Sequence, residues 1–241
     1  MTKRVFKAAF VSSLPVLMGY SAMGMAAGIL LAGTVKLKFL PFWAFLSSGI
    51  NISGALQFIM VNWTEALLPL TQVALLTFCL NVRYAMYGFS LIEKFRPLPW
   101  LKRGYLIWSL TDETYALEVD SAARTPAGEN QLDFCLGVAF LDHLYWLIGV
   151  TSGAVIGAAL PFDSRGIDFA MTALFLVVLT DQCQSKINRL SAAVGIISAI
   201  CGRVFFSTSN MLIPAMVMMG AVFIIFRGKF ERKPEQKEGK E

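Results

Sequence analysis

Eight apolar runs, parted by short charged clusters, decide what this 241-residue chain can become. They fall at about 8–33, 42–63, 67–92, 104–118, 134–160, 167–182, 190–203 and 208–226. A helix needs roughly 17–25 apolar residues to cross a bilayer, and most of the runs reach that length. Composition agrees, with 56% apolar and 15% charged residues and a mean hydropathy of +0.61. A soluble domain of this size has too little interior for so much apolar surface, whereas lipid accepts the surplus. The chain therefore reads as an all-α polytopic membrane protein with about seven or eight transmembrane or re-entrant helical segments. Disordered, collagen-like and disulfide-stapled classes are excluded.

The net charge of +5 does not indicate nucleic acid, because the basic residues sit in loops between the runs. The bilayer is the expected surrounding. Lys3, Arg4 and Lys7 before an apolar run mimic a signal peptide, but the many runs downstream make this the first membrane segment. Cys79, Cys135, Cys183 and Cys201 are scattered, without a C-x-x-C pair, and read as small buried thiols. Zinc-helix, nucleophile-elbow and phosphate-loop motifs are all missing, so no enzyme, metal or cofactor is expected. Trp43, Trp63, Trp100, Trp108 and Trp146 lie largely near run ends, as an interfacial belt would.

The runs 8–33 and 134–160 are long and carry Gly19, Gly24, Gly28 and Gly33, and Gly137, Gly149, Gly153 and Gly157. Small residues at such spacings allow close helix contact, and they also suit helices broken at a binding site. Positive-inside bias arbitrates. Eight simple spans with a cytoplasmic N-terminus put 12 Lys/Arg inside and 8 outside. If the two long runs are re-entrant, the inside count rises to 17, with Arg124, Arg165 and Arg203 outside and the 118–133 loop external. Seven spans with an external N-terminus give 15 to 5. The re-entrant arrangement is the one expected here. It makes one transmembrane domain over 1–227, with halves 1–118 and 134–227 forming an inverted pair, and a charged cytoplasmic tail over 228–241.

Four polar residues, in three places, fall where the bilayer is driest. Arg83 lies eleven residues before Lys94, about 16 Å along a helix. Asp112 and Glu113 lie nine and ten residues after Arg103, about 14–15 Å deep. Gln57 lies eight residues before Glu65, about 12 Å deep. A charge at such depth costs at least about 2.5–3.5 kcal/mol, so it faces a partner or a cavity. Arg83 paired with Asp112 or Glu113 can fix helix packing. The same groups can also receive a zwitterion, Arg taking a carboxylate and an acidic residue an ammonium. Asp142 and His143 form a candidate proton-coupling pair, because histidine titrates near neutral pH.

Three ordered motifs resemble those of a known family. Gly49-Ile-Asn-Ile-Ser-Gly-Ala-Leu-Gln57-Phe58 is similar to the Gly-Ala-x-Gln-Phe signature of the AzlC-type branched-chain amino-acid permeases. Leu80-Asn81-Val-Arg83-Tyr-Ala-Met-Tyr-Gly88 resembles the second motif, with Tyr84 where the family usually has histidine, and Leu110-Thr-Asp112-Glu113 matches the third. Gly149–Gly157 and Gly166-Ile-Asp-Phe-Ala170 follow the second half, so the resemblance covers roughly 8–226.

It implies a secondary transporter exporting valine, leucine, isoleucine and methionine across the bacterial inner membrane, with a small AzlD-type membrane subunit as partner. The positions carried over are Gln57, Asn81, Arg83, Asp112 and Glu113. A higher oligomer, another small zwitterion as substrate, a non-transporting scaffold subunit, a passive channel, and an intramembrane hydrolase using Asp112, Asp142 and His143 stay open.

Overall fold

A computed structural model of the chain describes residues 1–34, 39–66, 69–159, 186–206 and 212–226, with Leu176, Thr180 and Cys183 between them. Every regular element among the described residues is a helix. The first compact unit, Met1–Met171, contains α1 (Lys3–Thr34), α2 (Leu40–Ile50), α3 (Gly54–Ala66), α4 (Leu70–Phe95), α5 (Trp100–Trp108), α6 (Asp112–Val119), α7 (Ser121–Arg124) and α8 (Gln131–Ala159). The second, Thr172–Glu241, contains α9 (Lys186–Phe205) and α10 (Leu212–Ile225), which pack on each other with Met219 against Gly195. Apart from Leu176 and Thr180, the run 167–182 lies outside the described residues, as do Arg165, the 166–170 stretch and the tail 228–241. Among the described residues, three helices are long and apolar enough to cross a membrane: Lys3–Gly33, Leu70–Phe95 and Gln131–Ala159.

The expected breaks in the two long runs are absent. α1 continues through Pro15 for 32 residues and α8 runs uninterrupted for 29. Gly24, Gly28, Gly137, Gly149, Gly153 and Gly157 serve contact instead of unwinding. Gly24 meets Gly149 and Val150, Gly28 lies against Val150, Gly153 and Ala154, and Gly157 against Ile29 and Ala32. A Cβ on Gly149 would come within 2.8 Å of the Tyr20 carbonyl oxygen, and one on Gly28 would collide with the Val150 carbonyl. Only a residue without a side chain lets the backbones approach so closely.

The pair is parallel. Met1 N lies 3.1 Å from Asp133 Oδ2 at one end, and Gly157 lies beside Ile29 at the other. The starts of α1 and α8 therefore lie at one end of the pair, whereas the re-entrant arrangement separates them.

The interruptions lie elsewhere, at 51–53 and 109–111. Asn51 leaves the α2 helix with φ −117° and ψ 109°. Its Oδ1 accepts from Ser53 N (3.1 Å), and Ser53 Oγ caps the next helix by accepting from Leu56 N (3.4 Å). The second break ends α5 at Trp108 and restarts at Thr111, whose Oγ1 accepts from Thr114 N at 3.2 Å. Side chains thus satisfy backbone groups that helical bonding has abandoned, as an apolar surrounding demands. α4, α5 and α8 meet around Leu91, Phe95, Leu106, Leu110, Cys135 and Ala139. Trp146, expected in an interfacial belt, is instead 1% exposed, with its ring edge-on to Tyr20 and against Gly54.

Candidate functional site

The two breaks face one cavity of about 360 Å³, at the small end of the roughly 300–1,000 Å³ typical of small-molecule sites. Ile50, Asn51, Ile52, Ser53 and Leu56 line it from the first break, Trp108 and Leu110 from the second, and Asn81 and Tyr84 from α4. Asn81 Oδ1 is buried and accepts no hydrogen bond. The N-terminus of α3 opens onto this space with no acidic residue in its first turn, so its partial positive charge is uncompensated there. The first turn of α6, by contrast, carries Asp112 and Glu113.

Arg83 and Asp112 are brought together as their depths foretold. Arg83 Nη1 lies 2.9 Å from Asp112 Oδ2, and Nη2 donates to Tyr84 Oη at 2.9 Å. The guanidinium also lies 4.8 Å from the Tyr84 ring centre. Asp112 Oδ1 accepts from the Tyr87 hydroxyl (2.8 Å), and Tyr87 stacks on Tyr115 at 4.3 Å. Through Tyr84 the ion pair borders the cavity. The pair is not sealed, since 45% of the Arg83 side chain and 35% of Asp112 stay uncovered.

Gln57 is buried but does not line the cavity. Its Nε2 donates to Ser47 Oγ (3.1 Å) and its Oε1 accepts from Asn51 Nδ2 (3.5 Å), so it ties the two sides of the first break. Glu113 is exposed and accepts from the Tyr20 hydroxyl at 2.9 Å. Asp142 and His143 do not form a pair, because neighbours on a helix diverge. Asp142 is buried and accepts from Thr114 Oγ1 at 2.8 Å. His143 turns toward α5, with Nδ1 3.3 Å from the Tyr105 hydroxyl and its ring edge-on to Trp108.

Tyr20, Tyr87, Thr111 and Thr114 escape sequence reasoning, since an isolated hydroxyl in an apolar run carries no depth signal. The break at Asn51 had one: Asn and Ser flanked by Gly49 and Gly54 is loop chemistry inside an apolar run.

The family model described as "AzlC protein" matches residues 15–160. The chain belongs to the AzlC family. An uncharacterized membrane protein of Helicobacter pylori (strain J99) is 32% identical over 95% of this chain and 97% of its own length. The "Branched-chain amino acid transport protein AzlC" of Bacillus subtilis is 29% identical over 94% of this chain and 87% of its own. The "Inner membrane protein YgaZ" of Escherichia coli is 27% identical over 87% and 84%. No solved structure matches the chain. The AzlC match runs from within α1 to the end of α8, so it encloses both breaks and every residue lining the cavity. With three apolar helices of crossing length and relatives named as membrane proteins, this AzlC chain is a membrane protein.

Proposed function

We propose that this chain is the large subunit of a secondary transporter that exports branched-chain and related apolar amino acids, methionine among them, across the bacterial inner membrane. The observation that carries the reading is the cavity between the two helix breaks. Its wall is aliphatic and aromatic at Ile50, Ile52, Leu56, Trp108 and Leu110, and its polar groups are Asn81, the α3 N-terminus and the adjoining Arg83–Asp112 pair. A zwitterion with a branched apolar side chain matches that division. The name of the Bacillus subtilis relative points to the same substrates.

Arg83 receives the carboxylate and Asp112 or Glu113 the ammonium, the substrate replacing the internal ion pair. Asn81 adds a hydrogen bond, and Gln57 holds the first break in shape. In this reading α2–α3 and α5–α6 each cross as one interrupted span, which membranes tolerate where irregular backbone lines a cavity. Eight crossings with both termini cytoplasmic then keep more Lys/Arg inside than outside. Arg83 sits within a span, yet much of it is uncovered; that supports a small AzlD-type membrane subunit seated along α4.

The test is radiolabelled leucine counterflow in proteoliposomes, with and without the companion. Saturable exchange blocked by cold valine is expected, and Arg83→Ala should lower it at least tenfold. Wild-type flux in that variant removes Arg83 from the receptor. No exchange with the companion present turns the reading toward another zwitterion or a scaffold.

A further inference from the structure

A chain of short oxygen–oxygen contacts leaves the candidate site and enters the protein core. Tyr20 Oη lies 2.9 Å from Glu113 Oε2 and 2.7 Å from Thr111 Oγ1. Thr111 Oγ1 lies 2.9 Å from Thr114 Oγ1, which lies 2.8 Å from Asp142 Oδ2. These four gaps are all of hydrogen-bond length, so each needs a proton. The three hydroxyls between them supply only three. A fourth, carried by one of the two carboxyls, would give every gap its own donor. The ends differ in access, since Glu113 is exposed while Asp142 is 1% exposed with an unpartnered Oδ1.

We propose that Glu113, Tyr20, Thr111, Thr114 and Asp142 form a proton relay that exchanges one proton between the rim of the site and the buried Asp142. In one state Glu113 carries the proton and donates to Tyr20, Tyr20 donates to Thr111, Thr111 to Thr114, and Thr114 to ionised Asp142. Moving each proton across its gap breaks four O–H bonds and forms four. Glu113 is then ionised, Asp142 is protonated, every hydroxyl points the other way, and no further reactant is needed. The geometry fits both states, because Tyr20 is within bonding distance of both neighbours. Thr111 accepts the Thr114 backbone N–H throughout, at 3.2 Å, which holds the relay at the second break.

The titratable groups whose charge reaches Asp142 are Tyr20 from α1, Glu113 and Glu118 from α6, and Tyr105 from α5. Its sequence neighbour His143 faces Tyr105 and Trp108. No basic side chain bonds Asp142 among the described residues, so a proton is what neutralises it. The relay gives the transport reading a coupling ion and rests on that reading for its use, while its existence can be tested without transport.

Two measurements decide it on the purified full-length chain. Infrared difference spectra across a pH titration in nanodiscs should contain a carboxylic C=O band that disappears in Asp142→Asn. The band should also move in Tyr20→Phe and Thr114→Val, although neither replaces a carboxyl. No such band, or one indifferent to Tyr20→Phe and Thr114→Val, overturns the relay. In proteoliposomes, the same two hydroxyl variants should lose at least tenfold in leucine accumulation driven by a pH gradient while keeping counterflow. Thr114→Ser, which restores the hydroxyl, should recover accumulation. Gradient-driven accumulation at the wild-type level in Thr114→Val also overturns it. Should the wild type move no leucine at all, the transport reading fails and the infrared band alone judges the relay.

Discussion

The α1–α8 pair and the two interrupted pairs, α2–α3 and α5–α6, use small and polar residues for opposite ends. Along α1 and α8, glycines bring two complete helices into backbone contact, with Gly28 pressed on Val150 and Gly153 on Met25. At 51–53 and 109–111, Asn51, Ser53, Ser109 and Thr111 let helices stop and restart, and the freed space becomes a cavity. The contrast separates scaffold from site. A glycine opposite a glycine is a packing device, whereas a hydroxyl or amide between flanking glycines or before acidic residues is a helix terminus.

The sharpest way to break that contrast is to fill the scaffold's contact. Gly28→Leu should cost more than the usual ~1–3 kcal/mol of overpacking, because the obstacle is backbone and cannot step aside. Loss of a monodisperse folded species on size exclusion is expected. Gly19→Leu is the control, since nothing lies within 4 Å of a Cβ there, and it should behave as wild type. A wild-type elution profile for Gly28→Leu would contradict the close pair.

Topology sharpens the same comparison. Ala127→Cys, in the loop before α8, should be labelled from the side that labels Thr2→Cys, and Leu98→Cys only from the opposite one. Opposite labelling of Ala127→Cys and Thr2→Cys would restore the re-entrant arrangement. A smaller effect is expected at the first break. Gln57→Leu leaves Ser47 and Asn51 without their partner, at about 1–3 kcal/mol for buried polar groups. Its melting temperature should fall by a few degrees, with leucine flux reduced less than in Arg83→Ala. Equal flux losses would place Gln57 at the substrate itself.

Much of this was legible in the chain. The apolar runs announce the membrane because lipid leaves no other use for them. The depths of Arg83 and Asp112 announce a partnership because an isolated charge there is costly. The position of the breaks was misread because glycines in long runs are ambiguous, serving either contact or unwinding. Better signals were present: Thr111 followed by Asp112 and Glu113 is a helix start, an N-cap with acids in the first turn. Asn51 and Ser53 between Gly49 and Gly54 are another. The hydroxyl chain from Tyr20 to Asp142 was not legible at all, since it joins α1, α6 and α8 and exists only once they pack.

The parallel embrace of α1 and α8 has a consequence for how the protein is made. α1 leaves the ribosome well before its mate, with residues 35–130 synthesised in between. At about 5–20 residues per second that interval lasts roughly 5–20 s. Throughout it the glycine face of α1 must be sheltered by lipid or by the insertion machinery. Biogenesis, more than equilibrium stability, is where a substitution on that face would first be felt.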